Sequence, residues 1–405
     1  MTSDRRAPSE IGTVIVGGGI VGMCLAWFLA EEGHDVAVVD DGRHAGTIAN
    51  AGGLHVQLQS RFMRLYPEMV PAFEETLPFY PRAVRHWQAL AARLGEDVEL
   101  AVTGGLMVAE SSEQYAFLEK KCRREQQLGL EVEMLDRAAL DRIAPYFAPS
   151  IVGAELCATE GKVNPLLANQ AIRRKALAAG VVHCTETRVS SLARVANGFA
   201  IETSRGAIRA GRVVIAAGAG SGALANHLGL KVPARAEPLH MNITEATEPL
   251  IHHMVQHADR QITMKQLSAG MVVIGGGWPA TLAGAEEHPT VELDSLIGSL
   301  SLAQHVIPRI GALRLIRTWA GVNTSVDGRP VVGPVTGVPG LFFAIPGDAG
   351  YTLGPLTARL VADTMMGRAP EAAIGAYTAD RFNAGSAPLR GASFHDSDRG
   401  RPARS

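Results

Sequence analysis

The first forty residues carry apolar runs arranged around a glycine-rich turn. An apolar run at 11–16 precedes the segment GGGIVG at 17–22, an apolar helical stretch extends to Glu32, and a second apolar run at 36–39 ends on Asp40. This order of strand, glycine turn, helix, strand and acid is typical of a dinucleotide-binding unit. The sequence therefore predicts a dinucleotide site here rather than an ordinary glycine-rich turn.

The residues of this unit have separate physical roles. Gly17 permits the tight turn, Gly19 lets a pyrophosphate approach the backbone, and Gly22 lets the helix pack closely on the strand. The helix N-terminus presents free N–H groups to the phosphate charge. Asp40, about 20 residues further on, suits a ribose hydroxyl and favours FAD or NAD over NADP. The predicted contacts are Gly17, Gly19, Ile20, Val21, Gly22, Asp40 and Asp41.

Length and composition exclude several classes of function. The 405 residues, 47% hydrophobic and 19% charged, suffice for two or three domains with a substantial core. A net charge of −2 gives no general attraction to nucleic acid or to an anionic membrane surface. No apolar run approaches the ~20 residues that span a bilayer, and the opening MTSDRRAPSE lacks the apolar core of a secretory signal.

The cysteines and histidines do not predict a metal site. The chain has four cysteines, at positions 24, 122, 157 and 184, and none forms a C-x-x-C pair that could build a zinc or iron–sulfur site. His252, His253 and His257 have no carboxylate or cysteine pattern beside them, and we expect them at the surface. Structural thiols in a reducing compartment predict a cytoplasmic protein.

The middle of the chain departs from the opening βα rhythm. The stretch 41–53, rich in Gly, Ala and Asn, is predicted to be a loop that contacts a ligand through its backbone. Helical periodicity covers 64–95 and 112–143, and 98–110 is predicted as a strand or a hairpin turning at Gly104-Gly105. This part is therefore an expected insertion between pieces of the nucleotide domain.

The βα rhythm returns after the insertion. A helix is predicted over 164–180, and an apolar strand at 212–217 ends in small residues that leave room for a flavin or a ribose. Alternation over 236–325 predicts an antiparallel sheet. Near the end of the chain, a strand at 340–345 and a loop lead into a helix for which Thr352 is the predicted N-cap.

Five segments together resemble one family, the FAD-dependent amine and amino-acid oxidoreductases of the D-amino-acid oxidase and sarcosine oxidase type. They are the opening glycine motif with Asp40, Asn50-Ala51-Gly52-Gly53, Ala216-Ala217-Gly218, TSVDGRPVVGP at 324–334 and GLFFAIPGDAGYTLGP at 340–355. They span most of the chain in the family's order. Within the family the chain is most similar to β-type subunits of multi-subunit dehydrogenases, such as those of opine oxidase, hydrogen cyanide synthase, proline and hydroxyproline dehydrogenases and sarcosine oxidase.

The resemblance implies an α/β fold in which a doubly wound, Rossmann-like FAD-binding domain interleaves with a substrate domain containing a mixed or antiparallel sheet. The implied boundaries are 9–60, 150–235 and 326–385 for the FAD domain, 61–149 and 236–325 for the substrate domain, and 386–405 for a flexible tail. Backbone around 347–353 would contact the flavin ring, where a helix N-terminus offers N–H donors. The further implied FAD contacts are Asn50, Ala51, Gly52, Gly53, Val189, Ala217, Gly218, Gly347, Gly350, Tyr351, Thr352 and Leu353.

Departures from the family pattern bear on the cofactors. Heterotetrameric sarcosine oxidases carry a histidine that binds FMN covalently just before the helix that here begins near Asn164, but this chain reads Gly161-Lys162-Val163 there. Because 341–355 also lacks cysteine, we expect noncovalent FAD, with noncovalent FMN at a subunit interface left open. Asp348 stands where many relatives have histidine, which changes the charge near the flavin. In such complexes partner subunits carry further redox centres.

The expected chemistry is hydride transfer from the carbon beside nitrogen to flavin N5, so the protein has to orient the substrate and tune charge. A substrate carboxylate needs a cation, for which Arg61 and Lys265 are candidates. His55 and Gln57 alternate on a predicted strand, and His240 could tune the protonation of the amine. Each candidate also fits an ordinary structural role. The predicted catalytic set is His55, Gln57, Arg61, His240, Lys265, Asp348 and Tyr351.

These patterns predict an FAD-dependent dehydrogenase of a secondary amine or amino acid, acting as the catalytic subunit of a hetero-oligomer. Two alternatives stay open: a stand-alone oxidase that passes electrons to oxygen beside Lys265, and a flavin-bearing scaffold subunit with a silent pocket. An NAD-dependent dehydrogenase is disfavoured because 340–355 would then have no role. Opines, proline-like imino acids, N-methylated glycines and D-amino acids all fit as substrates.

Overall fold

The computed structural model describes residues 8–43, 46–284 and 288–383, so the predicted tail at 386–405 lies outside the described residues. The strands are β1 (Glu10–Val16), β2 (Val36–Val39), β3 (Gly53–Leu54), β4 (Gly105–Ala109), β5 (Val132–Asp136), β6 (Gly153–Cys157), β7 (Gly161–Lys162), β8 (Val182–Cys184), β9 (Val189–Val195), β10 (Gly198–Thr203), β11 (Gly206–Ile215), β12 (Arg235–Ala246), β13 (Met254–His257), β14 (Thr263–Gln266), β15 (Met271–Gly275), β16 (Thr281–Ala283), β17 (His288–Thr290), β18 (Leu315–Ser325), β19 (Val331–Pro334) and β20 (Leu341–Ile345). The α-helices are α1 (Ile20–Glu31), α2 (Gly46–Ala49), α3 (Ser60–Leu65), α4 (Val70–Thr76), α5 (Phe79–Leu94), α6 (Ser112–Gln127), α7 (Arg137–Ile143), α8 (Pro165–Ala178), α9 (Ser221–Asn226), α10 (Leu293–Val306) and α11 (Gly350–Met365). None of the helices described has the length and apolar character needed to cross a membrane.

The first sheet is built from the start, the middle and the end of the chain. β1 pairs in parallel with β2 on one side and β11 on the other, and β8 and β20 extend the parallel order outward. β19 pairs antiparallel with β20 at one edge, and β9 and β10 form an antiparallel extension on β11. Every residue of β2 is buried, as expected of a parallel strand covered on both faces. This is the doubly wound arrangement that the resemblance implied.

The helix opened by the glycine turn, α1, lies inside the molecule. Its residues 20–29 are all buried, because α1 packs between the first sheet and the helices α8 and α11. A helix that is apolar on all sides needs such cover. By contrast, α5 buries one stripe, formed by Phe79, Ala83, Val84, Trp87, Leu90 and Leu94. This packing holds the N-terminus of α1 at the end of β1.

The second sheet has the strand order β18-β12-β15-β14-β13-β4-β6-β5. Its neighbouring strands are antiparallel except for β13 and β4, which are parallel. Leu302, Ala303 and Val306 of α10 share a core with Val272 and Ile274 of β15, so α10 covers one face of this sheet. The mixed, mainly antiparallel sheet that the resemblance implied is confirmed.

The structure corrects three local predictions. The helical periodicity at 112–143 is interrupted, because Gly129, with φ of 86°, follows the end of α6 and lets the chain turn into the edge strand β5. Of the strand or hairpin predicted over 98–110, the strand is present and the hairpin is not, since β4 begins at Gly105 and pairs with β6 and β13. β6 lies within 150–235 but pairs in the second sheet, which takes its strands from 105–157 and 235–325.

A short ribbon joins the regions of the two sheets. β3 pairs antiparallel with β7, and Val163 donates its N–H to the carbonyl oxygen of Gly52 at 2.9 Å. β7 follows closely after β6 of the second sheet. The loop that ends in β3 is therefore held against the second sheet as well as the first.

Candidate active site and cofactor cradle

The glycine turn after β1 is so tightly packed that a Cβ on Gly17 or on Gly22 would overlap backbone atoms. A Cβ on Gly22 would overlap the carbonyl oxygen of Gly17, and a Cβ on Gly17, whose φ is 113°, would overlap the Ala216 carbonyl beyond β11. The close packing predicted for Gly22 is therefore present. Ala217 and Gly218 come next and keep this strand end free of large side chains.

Two side chains lie over the turn. The Asp40 carboxylate covers Gly18, where a Cβ would overlap it. The hydroxyl of Thr47 accepts the Ile20 N–H at the start of α1, at 3.0 Å. Thr47 is absent from the predicted contacts, although it is the only hydroxyl residue in 41–53. α2 thus closes over the N-terminus of α1, where a pyrophosphate group would be held.

The adenine end of the predicted site lies where β9 begins. Thr187 donates its N–H to the carbonyl oxygen of Asp40 at 2.8 Å, and Val189 is the first residue of β9. Asp41 lies 3.9 Å from Arg188 in a solvent-exposed ion pair. The predicted contacts at Asp40, Asp41 and Val189 are therefore neighbours, and their contact with the cofactor stays a prediction.

We expect Thr47→Val to weaken binding of the expected FAD by about 2- to 30-fold, because loss of a capping oxygen costs about 0.5–2 kcal/mol. Thr47→Ser keeps the oxygen and is the matched control. A fluorescence titration of each apoprotein with FAD gives the two dissociation constants. Equal affinities would show that the hydroxyl does not support the cofactor.

The N-terminus of α11 meets the loop at 50–53. The predicted N-cap is wrong, since α11 begins at Gly350 and Thr352 lies inside its first turn. The Thr352 hydroxyl accepts the His55 N–H at 3.0 Å and donates to the Gly53 carbonyl oxygen at 3.4 Å. Thr352 therefore ties the helix to the loop, and the two predicted flavin-contacting segments are joined directly.

Backbone groups at the start of α11 suit a negatively charged ligand atom. Leu353 makes the first of the helical bonds, from its N–H to the carbonyl oxygen of Ala349 at 3.0 Å. The N–H groups of Gly350 and Tyr351 precede it and have no acceptor within the helix. Gly347, with φ of 79°, allows the turn that leads into this end. The loop at 50–53 faces this helix end. Its Gly52 N–H donates to the side-chain oxygen of Asn50 at 2.7 Å, which closes a turn around Ala51.

The Tyr351 side chain is held by core contacts. Its ring stacks on Trp87 at 5.3 Å between centroids, and its hydroxyl donates to Asn169 at 3.0 Å. Asn169 in turn donates to the carbonyl oxygen of Thr47 at 3.2 Å. Packing thus accounts for this side chain, while its predicted contact with flavin or substrate stays a prediction.

A buried amine faces the same loop from the second sheet. Lys265 on β14 is 1% exposed, and its Nζ donates to the carbonyl oxygen of Val163 at 3.2 Å. The same Nζ would stand 2.9 Å from a Cβ on Gly52. Burial, aided by the Lys162 cation, lowers the pKa of Lys265 to about 7. The structure thus brings Lys265 to the predicted flavin loop, with cation and neutral amine both populated near neutral pH.

His55 and Gln57 do not lie on a strand, which corrects the prediction. The Glu160 carboxylate accepts the backbone N–H groups of Val56 and Gln57, at 2.7 and 3.0 Å, so these groups are not available to a strand ladder. The Gln57 side chain also donates to Glu160, at 2.9 Å, inside a buried polar cluster. Gln57 therefore acts within that cluster, and Glu160 is a site residue that the sequence did not reveal.

His55 remains beside the loop. Its Nε2 would stand 2.9 Å from a Cβ on Gly53, and its Nδ1 is buried without a hydrogen-bond partner among the described residues. Burial, and then the Lys265 cation, lower the pKa of His55 to about 4, while the adjacent Gln256 side chain opposes this shift. The ring is therefore neutral at pH 7 and can accept a hydrogen bond.

His240 lies on β12, on the face of the second sheet that α10 covers. Its Nε2 lies 2.9 Å from Asn242 Oδ1, and Asn242 donates to Ser299 on α10 at 2.9 Å. Met264 packs in the core under α10, so its strand neighbour Lys265 faces the opposite side of the sheet. His240 therefore lies under α10, away from Lys265, where burial lowers its pKa. The predicted direct role at the amine is not supported by this position.

Arg61 is also separate from this group. Its Nη1 donates to the carbonyl oxygen of Asp259 at 3.1 Å, and it lines a surface cleft of about 470 Å³. Asp259 follows the end of β13, whereas Met254 at the start of β13 has its sulfur beside Gly53. Arg61 thus lies at the opposite end of β13 from the flavin loop, which gives no support to its predicted role as a carboxylate anchor.

Asp348 is surrounded by other acids. Burial and the neighbouring carboxylates of Glu237 and Asp327 raise the pKa of Asp348 well above its usual value. Asp327 is itself paired with Arg381 at 2.8 Å. This setting favours the protonated form of Asp348, which donates a hydrogen bond more readily than it attracts a cation.

The titratable side chains do not suggest a metal. In the described part of the chain, no three His, Cys, Asp or Glu side chains are arranged to hold a metal ion. His257 is buried and lies 3.1 Å from Glu110, which corrects its expected surface position. The four cysteines are buried, and none of them forms a disulfide bond in the part of the chain that the structure describes.

The residues present fit an FAD cofactor. Gly17 follows β1, Asp40 follows β2, Ala217 follows β11 and Gly347 follows β20, so these residues meet at the carboxyl edge of one parallel sheet. That edge is where open α/β sheets bind ligands. The crowded glycine turn and the two helix N-termini would hold the pyrophosphate and the flavin. The face of the second sheet that carries Lys265 would cover the flavin end.

Comparisons with known proteins agree with this geometry. The B subunit of opine oxidase from Agrobacterium tumefaciens (strain Ach5) is 26% identical over 392 residues, which cover 93% of this chain and 98% of that protein. The beta subunit of sarcosine oxidase from Rhizobium meliloti (strain 1021) is 25% identical, covering 92% and 88%. Glycine oxidase from Geobacillus kaustophilus has the same fold, with a TM-score of 0.80 at 24% identity, covering 92% of this chain and 98% of that one. The family described as DAO, FAD dependent oxidoreductase, matches residues 13–364. This chain therefore belongs to the DAO family of FAD-dependent oxidoreductases.

Proposed function

We propose that this chain is the catalytic β-type subunit of a hetero-oligomeric, FAD-dependent dehydrogenase that oxidises the C–N bond of a secondary amine or amino acid of the opine type. The observation that carries the proposal is that Thr352 of α11 contacts the Gly53 carbonyl oxygen while buried Lys265 of the second sheet faces the adjoining Gly52, so both elements meet at the predicted flavin loop. Likeness to the B subunit of opine oxidase supports the substrate class. Likeness to the beta subunit of sarcosine oxidase supports a subunit role.

The side chains at this junction suit amine oxidation. When bound, FAD supplies the hydride acceptor. Neutral His55 can accept a hydrogen bond from the nitrogen of the substrate and so orient it. Lys265, with a pKa of about 7, offers a cation to the substrate carboxylate at and below neutral pH. The N-terminus of α11 stabilises negative charge at the flavin end of the site.

A dye-linked assay of the purified, FAD-loaded chain tests this function. Opines, sarcosine, proline isomers, glycine and D-amino acids are supplied without oxygen, and reduction of an artificial electron acceptor is followed. We expect turnover with an opine or a related secondary amine, and little hydrogen peroxide when the same substrate is offered in air. Turnover confined to D-amino acids or glycine, with one peroxide per substrate, would contradict the proposal.

A stand-alone oxidase is the second candidate, and buried Lys265 is the observation that favours it. A cation beside the flavin would stabilise the negative charge of oxygen as it is reduced. On this candidate, Lys265→Met slows reoxidation of the reduced protein by oxygen about 10²- to 10³-fold, with little change in anaerobic reduction. Because the pKa of Lys265 is about 7, wild-type reoxidation slows as the pH rises through 7. Stopped-flow absorbance measures both steps.

Lys162→Met is the matched control for this variant. Lys162 is a neighbouring lysine whose Nζ donates to the carbonyl oxygen of Gln266 at 2.7 Å, outside the contact between Lys265 and Gly52. Because the Lys162 cation lowers the pKa of Lys265, its removal raises the charged fraction of Lys265, and we expect a reoxidation rate equal to the wild type or a few-fold above it. Slow reoxidation of the wild type, unchanged by Lys265→Met, would remove the oxidase candidate and favour transfer to a partner.

The proposal includes partner subunits that carry further redox centres, since the four cysteines of this chain are buried and apart from any cluster arrangement in the described residues. The proposal is also compatible with noncovalent FMN at a subunit interface. The lack of disulfide bonds among the described cysteines also supports a cytoplasmic location. Flavin extraction from the complex purified out of its native cells, with separation of FAD from FMN, tests the interfacial cofactor.

A further inference from the structure

One buried carboxylate collects four hydrogen bonds at the junction of the two sheets. Glu160 is 0% exposed. Its Oε1 accepts the backbone N–H groups of Val56 and Gln57, at 2.7 and 3.0 Å. Its Oε2 accepts the side-chain amides of Gln57 and Gln256, both at 2.9 Å. The four donors come from the segment after the flavin loop and from β13, so Glu160 binds these two elements together.

The hydrogen bonds to Glu160 also fix the orientation of two amides. Gln57 accepts from Lys121 at 3.3 Å through Oε1, which leaves its Nε2 for Glu160. Gln256 accepts from the side chain of Gln59 and donates to Glu160. The Gln256 side chain also lies beside His55. A change at Glu160 would therefore be transmitted to the surroundings of His55.

The position of Glu160 is tightly constrained. A Cβ on Gly105 would overlap its Oε2, and Gly104 donates its N–H to the Glu160 carbonyl oxygen at 2.9 Å. Burial raises the pKa of Glu160 to about 7, against the lowering effect of the hydrogen bonds from Val56 and Gln57. Burying an ionisable group is costly, so a need for packing alone does not explain a carboxylate here.

We propose that Glu160 is a positioning residue for the reaction, whose carboxylate fixes the segment 55–59 and the amide of Gln256 where the second sheet meets the flavin loop. The inference rests on the proposed function, because His55 is taken to face the substrate amine. If the segment moves by about 1 Å, loss of reactive geometry slows hydride transfer by as much as about 10²-fold.

The test compares Glu160→Gln with Glu155→Gln. Glutamine has the shape of glutamate, but its own NH₂ group is a donor. It would face the side-chain amides of Gln57 and Gln256, which are donors too, so hydrogen bonds would be lost. Glu155 is equally buried, 2.8 Å from Lys121 Nζ, and has no hydrogen bond to 55–59 among the described contacts. Anaerobic stopped-flow reduction by the most reactive amine gives the limiting rate and the substrate dissociation constant, and visible circular dichroism reports the flavin surroundings.

For Glu160→Gln we expect a limiting rate about 10- to 100-fold below the wild type, a dissociation constant within about threefold, and an altered visible spectrum. For Glu155→Gln we expect a limiting rate, a dissociation constant and a visible spectrum that are all close to those of the wild type. Equal losses in both variants, or a wild-type rate and spectrum in Glu160→Gln, would overturn the inference. If Glu160→Gln does not fold, Gln256→Leu removes one donor and keeps the backbone bonds, and a wild-type rate in that variant would count equally against it.

The inference and the proposed function fail in different ways. If no amine reduces the wild-type flavin, the proposed function is wrong. The visible spectra of Glu160→Gln and Glu155→Gln still show whether Glu160 holds the loop against the flavin. An unaltered Glu160→Gln spectrum would then refute the positioning role by itself.

Discussion

Gly22→Ala should purify with little FAD. The added Cβ would overlap the carbonyl oxygen of Gly17, and both atoms belong to backbone that is packed against the first sheet, so neither can move freely. Overpacking of this kind costs about 1–3 kcal/mol or more. We therefore expect the FAD dissociation constant to rise by about 100-fold, measured by fluorescence titration of the apoprotein.

Gly375→Ala is the matched control, because a Cβ there would meet no atom within 4 Å. It should bind FAD as tightly as the wild type. Far-ultraviolet circular dichroism and a thermal melt of each apoprotein separate loss of the cofactor site from general unfolding. FAD affinity of Gly22→Ala within threefold of the wild type would show that the turn is not the cofactor cradle.

Lys121→Met should cost about 3–5 kcal/mol of unfolding free energy, the usual penalty for removing one partner of a buried ion pair. The Lys121 side chain is fully buried, with its Nζ 2.8 Å from both Glu125 and Glu155. Burial favours the neutral amine, but the two carboxylates raise the pKa of Lys121 above its usual value. Methionine has a similar length to lysine but carries no charge. The decrease in unfolding free energy, measured by urea denaturation, therefore reports the effect of removing the cation.

The loss of unfolding free energy should grow as the pH rises through the wild-type pKa of Glu155. Burial and Glu125 already raise the pKa of Glu155, which Lys121 lowers, so removing Lys121 raises it further. A carboxyl with a raised folded-state pKa keeps a proton that the unfolded chain releases, and stability therefore falls as the pH increases through that range.

Arg174→Met serves as the control for Lys121→Met. Arg174 is 55% exposed in its side chain and pairs with Glu96 at the surface, where such pairs contribute less than about 1 kcal/mol. A loss below about 1 kcal/mol in Lys121→Met, or a loss that does not depend on pH, would contradict the buried ion-pair account.

The FAD-facing half of the fold could be predicted because its signals are local and steric. The turn from Gly17 to Gly22 needs glycine for reasons visible in a few residues of sequence, and Asp40 follows at the spacing the motif requires. Thr47 was missed, because the folding of its loop onto the start of α1 depends on contacts with α8 and β18 that no short pattern contains.

The substrate-facing half could be predicted less well. His240 and Lys265 are both polar residues on predicted strands. The packing of α10 on one face of the sheet decides that His240 is covered by this helix and that Lys265, on the other face, reaches the loop at 50–53. A shift of one residue in a strand exchanges its faces, so periodicity cannot choose between them. Glu160 gave no signal either, since its four donors lie at 56–57 and 256, far from it in sequence.

An anaerobic absorbance titration of the FAD-loaded chain tests the central claim most directly. Opines, sarcosine, proline isomers, glycine and D-amino acids are added in turn while the oxidised flavin band near 450 nm is followed, as for flavoproteins in general. We expect an opine or a related secondary amine to bleach the band fully. A yellow protein that no amine bleaches, or a colourless one that takes up no FAD, would contradict the account.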